Sequence, residues 1–108
     1  MTKDITITPL PDRYRVRLGD VVLGETDAAL QLVEGSHDPV IYVPRADMAM
    51  DLLQPTDRHS TCPWKGQANY YSIGDAQNVV WTYETPIPQV AAIAGHLAFY
   101  PTVTVERV

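Results

Sequence analysis

Hydrophobic and polar residues alternate along most of the chain, which is the pattern of β-strands with one buried face. The clearest case is RYRVRLGDVVLGET, in which two alternating runs flank Gly19 and Asp20. Glycine in the first position of a two-residue loop suits a type II′ turn. The resulting hairpin would place Val16 opposite Leu23. Further strands are predicted at ITIT, ALQLVE, PVIYVP and TVTVERV.

A second hairpin is predicted from QANYYSI and NVVWTYE, which flank residues 74–77. A four-residue loop there would bring Ile73 opposite Asn78. The same register pairs Tyr70 with Trp81, and aromatic pairs across strands stabilise a sheet by up to about 1 kcal/mol each.

A short amphipathic helix is predicted over about residues 88–98, because Val90, Ile93, Ala94 and Leu97 follow the i, i+3, i+4, i+7 pattern. The segment from Arg45 to Pro55 fits both helical and strand periods, and we expect one helical turn followed by a strand. Residues 54–66 are polar and interrupted by prolines. This predicts a long loop, and such loops in compact domains are often functional.

These elements predict a mostly β fold of antiparallel hairpins in one compact domain over residues 1–108, a usual length for a single domain. The net charge is −5, and the eight Lys and Arg residues form no basic run. A nucleic-acid or membrane partner is therefore not predicted.

The chain has one cysteine, so no internal disulfide is expected. No apolar run resembles a signal peptide or is long enough to span a bilayer. These features predict a cytoplasmic, reducing location.

The unique cysteine, Cys62, lies in the stretch TCPWKG. A nearby cation raises the thiolate fraction of a cysteine, and a histidine can act as its base. Lys65 and His59, each three residues away, are candidates for these roles, which gives a catalytic set of Cys62, His59 and Lys65. The alternative is a buried, inert thiol.

Aromatic and cationic residues around the same stretch predict a small-molecule pocket, since pockets combine apolar walls with a few placed polar groups. Arg45 and Lys65 would hold an anionic group, and Trp64 or Trp81 would stack on a ring. The predicted ligand-binding residues are Tyr42, Arg45, Trp64, Lys65, Tyr70 and Trp81. A stripe of arginines at 13, 15 and 17 fits either an anion site or a solvated strand face, and the latter is commoner.

No metal site or cofactor is predicted. Zinc needs three or four ligands at fixed spacing, but His37, His59 and His96 are scattered. The glycines form neither a phosphate-binding loop nor a dinucleotide fingerprint. Asp47 and Asp51 fit a solvated face better than an acid–base pair.

The blocks VIYVPRADMAMDLL, TCPWKGQANYYSI and NVVWTYETPIPQVAAIAGHLAFYP, with the final valine-rich strand, resemble the DUF427 family of small bacterial and fungal proteins of unknown function. The resemblance runs from about Arg15 to the C-terminus. It implies a single mostly β domain similar to the Mss4-like folds, and it assigns no catalytic role to any residue.

Three functions follow from these observations. The first is a domain that binds a small anionic metabolite at the TCPWKG segment, with or without a reaction on it. The second is a non-enzymatic interaction module or homodimer, in which the final strand pairs across an edge and Lys65 pairs with Asp47 or Asp57. The third is a cysteine-dependent enzyme that uses Cys62.

Overall fold

Ten antiparallel β-strands form two sheets in the computed structural model, which describes residues 4–108. Their bounds are β1 Ile5–Pro9, β2 Tyr14–Leu18, β3 Val21–Thr26, β4 Leu30–Glu34, β5 Val40–Pro44, β6 Gln54–Cys62, β7 Gly66–Ile73, β8 Ala76–Thr82, β9 His96–Phe99 and β10 Thr104–Arg107. Three 3₁₀ turns lie at Arg45–Asp47, Met50–Leu52 and Pro88–Ile93. The mostly β, antiparallel fold predicted from the sequence is confirmed.

The larger sheet has seven strands in the order β1-β4-β5-β9-β8-β7-β6, and the smaller has the order β10-β2-β3. Strand alternation gives the larger sheet two different buried faces. Val43 and Tyr71 lie on the face that packs against Val16 and Leu23 of the smaller sheet. Their chain neighbours Tyr42 and Tyr70 lie on the other face, which the turn Pro88–Ile93 covers with Val90 and Ile93.

The first hairpin turns at Gly19 and Asp20 as predicted, but its register shifts between Val16 and Arg17. Val16 therefore lies opposite Gly24 rather than Leu23. The glycine is needed there because a Cβ at position 24 would lie 2.4 Å from the carbonyl oxygen of Asp47. The sequence pattern does not show this close approach of a distant turn.

The second hairpin confirms the predicted pair of Tyr70 and Trp81. Its loop is shorter than predicted, since Ile73 pairs with Ala76. The register then shifts along the strands, and Asn78 adopts a φ of +53°. The Asn78 N–H donates to the Ser72 hydroxyl at 2.9 Å, which holds this irregularity in place.

The predicted helix at 88–98 is a shorter 3₁₀ segment, Pro88–Ile93, with a break at Val90 (φ −119°, ψ 29°). The predicted apolar residues Val90 and Ile93 are buried. His96–Phe99 is a strand instead, because it fills the position between β5 and β8. Pairing with distant strands here overrides the local helical period.

The predicted long loop at 54–66 is mostly strand β6, which forms one edge of the larger sheet. An edge strand accepts proline and exposes one face, so a polar sequence is compatible with it. The preceding segment has two 3₁₀ turns, Arg45–Asp47 and Met50–Leu52, rather than one turn and a strand. Cys62 thus ends strand β6, and only a tight turn separates it from β7, which begins at Gly66.

Candidate functional site

The turn from Cys62 to Gly66 is fixed by backbone hydrogen bonds on both sides. The Lys65 N–H donates to the Cys62 carbonyl at 3.2 Å, and the Ile87 N–H donates to the Lys65 carbonyl at 3.0 Å. Gly66 closes the turn with a φ of +117°, a conformation that residues with a Cβ rarely adopt. The turn is thereby tied to the segment before Pro88.

Lys65 forms a partly buried ion pair with Glu34, the last residue of β4. Its ammonium donates to the carboxylate at 2.5 Å, and the two side chains are 12% and 17% exposed. The pair joins residues 31 positions apart in the chain. The sequence predicted Asp47 or Asp57 as the partner of Lys65. The structure pairs Lys65 with Glu34 instead.

Beside this ion pair lies a cavity of about 240 Å³ on the tyrosine-bearing face of the larger sheet. Its polar and aromatic lining consists of Tyr42, Lys65, Tyr70, Trp81, Tyr83 and Tyr100. Leu32 and Val40 complete it. We call this the tyrosine cavity.

Two tyrosines of the cavity are held protonated by their surroundings. Burial raises the pKa of Tyr42 to about 12, although a hydrogen bond with Trp81 acts in the opposite direction. Burial also raises the pKa of Tyr83, and the neighbouring Tyr42 adds to this effect. Both phenols therefore stay protonated to a higher pH than an exposed tyrosine, whose pKa is about 10.

Tyr70 has a different environment, which favours its ionised form. Burial raises its pKa, but hydrogen bonds with Ser60 and Tyr100 and the positive charge of Arg58 outweigh burial, so the pKa is lowered. The Ser60 and Tyr70 hydroxyl oxygens are 2.7 Å apart. The Arg58 guanidinium carbon lies 4.9 Å from the centre of the Tyr70 ring. Burial and the hydrogen bond with Tyr70 raise the pKa of Tyr100.

Nearly the whole chain is similar to one protein family. Residues 6–108 match the model of a family described as a domain of unknown function, DUF427. The chain belongs to the DUF427 family. A search of curated proteins found no match.

The DUF427 blocks noted in the sequence meet at the tyrosine cavity. Four of the six predicted ligand-binding residues line it: Tyr42, Lys65, Tyr70 and Trp81. They come from β5, β7, β8 and the turn before β7, which strand pairing brings together.

The other two predicted ligand-binding residues lie elsewhere. Arg45 donates to the Tyr71 hydroxyl at 2.8 Å, and Tyr71 belongs to the opposite face of the sheet. Trp64 is half-buried in the turn and does not belong to the described lining of the cavity. Alternation along β7 separates Tyr71 from Tyr70, and thus Arg45 from the cavity.

Alternation along β6 separates two members of the predicted catalytic set, Cys62 and His59, in the same way. Cys62 is half-buried and packs against the hydrophobic cluster that contains Tyr42, Tyr70 and Tyr83. His59 is exposed, and its Nδ1 lies 2.9 Å from Asn69 Oδ1. Residues three apart in a strand point to opposite sides, so the imidazole lies away from the thiol.

Sequence reasoning missed Tyr83, Tyr100 and Glu34 as site residues. The signal for Tyr83 was present, because it lies two positions after Trp81, directly beyond the end of β8. Glu34 and Tyr100 carried no local signal, since they reach the site only through the pairing of β4, β5, β9 and β8.

The arginine stripe is a paired strand face. Arg15 and Arg17 contact Glu25 and Glu106 at 2.8 and 2.9 Å, respectively. Arg13 contacts Glu25 at 3.1 Å and Asp27 at 2.8 Å. Within residues 4–108, no group of three His, Cys, Asp or Glu side chains is arranged to hold a metal ion. None of the helical segments in that range is long and apolar enough to cross a membrane.

Proposed function

We propose that this DUF427 protein binds a small anionic metabolite in the tyrosine cavity. The observation that carries the proposal is the lining itself, in which one lysine ammonium and four phenols surround a single concave space. Cavities of this kind, with aromatic walls and a few convergent polar groups, are typical of small-molecule sites.

The hydrogen-bond donors of the lining suit an anionic group. Tyr42 and Tyr83 keep their protons and so offer O–H donors. An ammonium has three N–H donors, and the Lys65 contact with Glu34 uses one of them. An anionic group on the ligand would accept charge-assisted hydrogen bonds from Lys65 and neighbouring phenols. Trp81 and the tyrosine rings would pack against its remaining atoms.

A reaction on the bound ligand is the narrower form of this proposal, with Cys62 as the nucleophile. Cys62 packs against the hydrophobic cluster that contains Tyr42, Tyr70 and Tyr83, although it is not part of the described lining of the cavity. Once turnover of a ligand is found, Cys62→Ser should abolish it. Full activity in that variant would exclude the cysteine mechanism.

A thermal-shift screen tests binding. We expect a subset of small carboxylates or phosphates to raise the melting temperature, because a ligand at a hundred times its Kd stabilises a protein by about 2.7 kcal/mol. The uncharged amides of the same acids serve as controls. Equal shifts for acids and amides would contradict an anion site, and no shift with any member would remove support for binding.

Variants of the ion pair between Lys65 and Glu34 test whether Lys65 is the cation that binds the anionic ligand. Lys65→Met/Glu34→Gln removes both charges and keeps similar side-chain volumes. We expect this double variant to remain folded and to lose the anion-induced shift. The matched control is Arg107→Met, which changes an exposed arginine whose ion pair with Asp12 is 3.6 Å long. Unchanged binding in the double variant would show that Lys65 does not hold the anion.

A homodimer is the second candidate, favoured by the position of β10 at an edge of the smaller sheet. Unpaired strand edges can pair with a second copy. Light scattering over a range of concentrations distinguishes the 12.0 kDa monomer from a dimer. A monomer at the highest concentration would remove this candidate. For either function, the cytoplasm is the proposed location.

A further inference from the structure

A surface groove lies between the edge strand β6 and the turn that follows β9. Its volume of about 460 Å³ falls within the range of about 300–1,000 Å³ that is usual for small-molecule sites. Its described lining consists of Arg58, Asn78, Val79, Tyr100, Pro101 and Thr102. We call this the Arg58 groove. Of these residues, Tyr100 alone also belongs to the described lining of the tyrosine cavity.

Arg58 brings a positive charge to the groove that no carboxylate within residues 4–108 neutralises. By contrast, four other arginines form ion pairs with Asp or Glu: Arg13, Arg15, Arg17 and Arg107. The exposed Arg58 side chain instead stacks on Tyr70, with its guanidinium carbon 4.9 Å from the ring centre. A guanidinium has five N–H donors, so the contact with Tyr70 leaves several of them for a ligand.

Two irregularities in strand pairing bring Asn78 to the same place. The pairing of β6 with β7 shifts over residues 55–59, which include Arg58. On the other side of β7, the pairing with β8 shifts over residues 76–80, which include Asn78 with its positive φ. Bulges re-aim side chains and are over-represented next to active sites.

The Thr56 hydroxyl connects the two irregular segments. It accepts a hydrogen bond from the Arg58 backbone N–H at 3.3 Å and donates one to Asn78 Oδ1 at 2.6 Å. Because Oδ1 faces Thr56, the NH₂ group of Asn78 faces away from it, with two donors. None of the described side chains has a buried polar atom without a partner, so this NH₂ group is accessible to solvent.

These donors suit a phosphate group. A phosphate monoester carries a charge of about −1.5 to −2 at pH 7 and has three strong acceptor oxygens. A guanidinium binds two phosphate oxygens in parallel, which leaves the third for the Asn78 NH₂ group or the Thr102 hydroxyl. Tyr100, which is 40% exposed, and Pro101 offer apolar surface to the rest of the ligand.

We propose that the Arg58 groove is a second anion site, which binds a small phosphate monoester. The phosphate lies at Arg58 and Asn78, and the organic group packs against Tyr100 and Pro101. The site does not use Lys65, so this inference goes beyond the proposed function and does not rest on it.

NMR titration of the ¹⁵N-labelled full chain with phenyl phosphate, inorganic phosphate and benzoate tests the inference. Ionic strength is held constant, because salt screens exposed charges. We expect phenyl phosphate to shift the side-chain N–H signals of Arg58 and Asn78 saturably and to bind more tightly than inorganic phosphate or benzoate. Equal Kd values for phenyl phosphate and benzoate would overturn the phosphate assignment. Absence of saturable shifts at Arg58 and Asn78 would overturn the site.

Variants of the groove separate its two donors. Asn78→Asp keeps the shape and the acceptor for Thr56 and suits a left-handed backbone, but it replaces the NH₂ group with a charged oxygen. Arg58→Met changes an exposed side chain, so the fold should tolerate it if Asn78→Asp unfolds. Each variant should weaken phenyl phosphate binding about tenfold or more, since hydrogen bonds to charged groups are lost. Arg107→Met is the matched control and should leave Kd unchanged. An unchanged Kd in Arg58→Met would overturn the inference.

The double variant Lys65→Met/Glu34→Gln separates this site from the tyrosine cavity. We expect it to bind phenyl phosphate as the wild type does. Loss of binding in the double variant, with binding retained in Arg58→Met, would assign the phosphate to Lys65 and overturn this inference. Binding that depends on Arg58, in a protein that shows no ligand effect at Lys65, would support the Arg58 groove and contradict the proposed function.

Discussion

At the scale of single residues, the tyrosines of the cavity differ in how readily they ionise. Tyr42 is 1% exposed and Tyr70 is 6% exposed, but their pKa shifts have opposite signs. Desolvation dominates for Tyr42. At Tyr70 the hydrogen bonds with Ser60 and Tyr100 and the cation Arg58 outweigh it. One cavity thus contains a phenol that keeps its proton and a phenol that releases it more readily.

The buried phenol of Tyr42 makes stability depend on alkaline pH. Its pKa is about 12 in the folded protein and about 10 in an unfolded chain. The contribution of Tyr42 to the free energy of unfolding is constant below pH about 10. It falls as the pH rises from about 10 to about 12, because the unfolded state then binds fewer protons than the folded state. Tyr42→Phe should make this slope shallower by up to about 1.4 kcal/mol per pH unit.

Urea unfolding at several pH values measures that slope. The unfolding free energy of Tyr42→Phe at pH 7 provides the control for packing and hydrogen-bond effects. The same slope in both proteins above pH about 10 would mean that Tyr42 titrates normally.

The Cys62 thiol should react without help from His59. Because Cys62 is half-buried, we expect native alkylation to be slower than alkylation of the urea-unfolded chain. His59→Ala should change the native rate by less than about twofold, since the imidazole lies on the opposite side of β6 and cannot act as the base. Mass spectrometry of the alkylated protein over time gives the rates. A much slower reaction in His59→Ala would show that the imidazole reaches the thiol.

At the scale of elements, the turn between β6 and β7 determines where Lys65 lies. Its glycine, Gly66, has a φ of +117°, and a Cβ there would lie 3.4 Å from the Pro86 Cα. The hydrogen bond between Ile87 and the Lys65 carbonyl depends on the same backbone path. The backbone conformation of this turn therefore places the Lys65 side chain in the lining of the cavity.

Gly66→Ala should destabilise the protein by about 1–3 kcal/mol, the usual cost of a strained backbone conformation. Gly74→Ala is the matched control in the next hairpin. Gly74 has a φ of +53°, which other residues adopt at lower cost, and a Cβ there would meet no atom within 4 Å. Denaturant unfolding compares the two, and an equal loss in both would show that the Gly66 turn imposes no special constraint.

At the scale of the whole molecule, the ion pair between Lys65 and Glu34 links the β6–β7 turn to β4, four strands away from β7 in the sheet order. The side chains are largely shielded from water, in contrast to the arginine pairs of β2, whose partners are about one-third exposed. A shielded charge that loses its partner costs more than an exposed one.

Lys65→Met alone should destabilise the protein by about 2–3 kcal/mol, because Glu34 keeps its charge in a partly buried position. The double variant with Glu34→Gln should recover most of this loss. Arg107→Met should cost less than about 0.5 kcal/mol, as expected for an exposed pair. Thermal and urea unfolding of the three variants measure these differences. A double variant as unstable as Lys65→Met would show that lost packing, and not the unpaired carboxylate, causes the effect.

The sequence by itself determined the mostly antiparallel β fold, the two main hairpins, the pair of Tyr70 and Trp81 and the family. Alternation and turn residues act over a few neighbouring positions, so a pattern in the chain records them directly. Four of the six predicted ligand-binding residues line one cavity, because three lie on strands with their side chains on one face and Lys65 lies in the adjoining turn. Their role in binding stays a prediction.

The tertiary structure decided the rest. It made strand of residues 96–98, which were predicted as helix, and of residues 54–62, which were predicted as loop, since distant strands supplied their hydrogen-bond partners. It also selected Glu34 as the partner of Lys65 and placed His59 and Arg45 outside the cavity. These results depend on register and strand order, and contacts between residues far apart in the chain fix both.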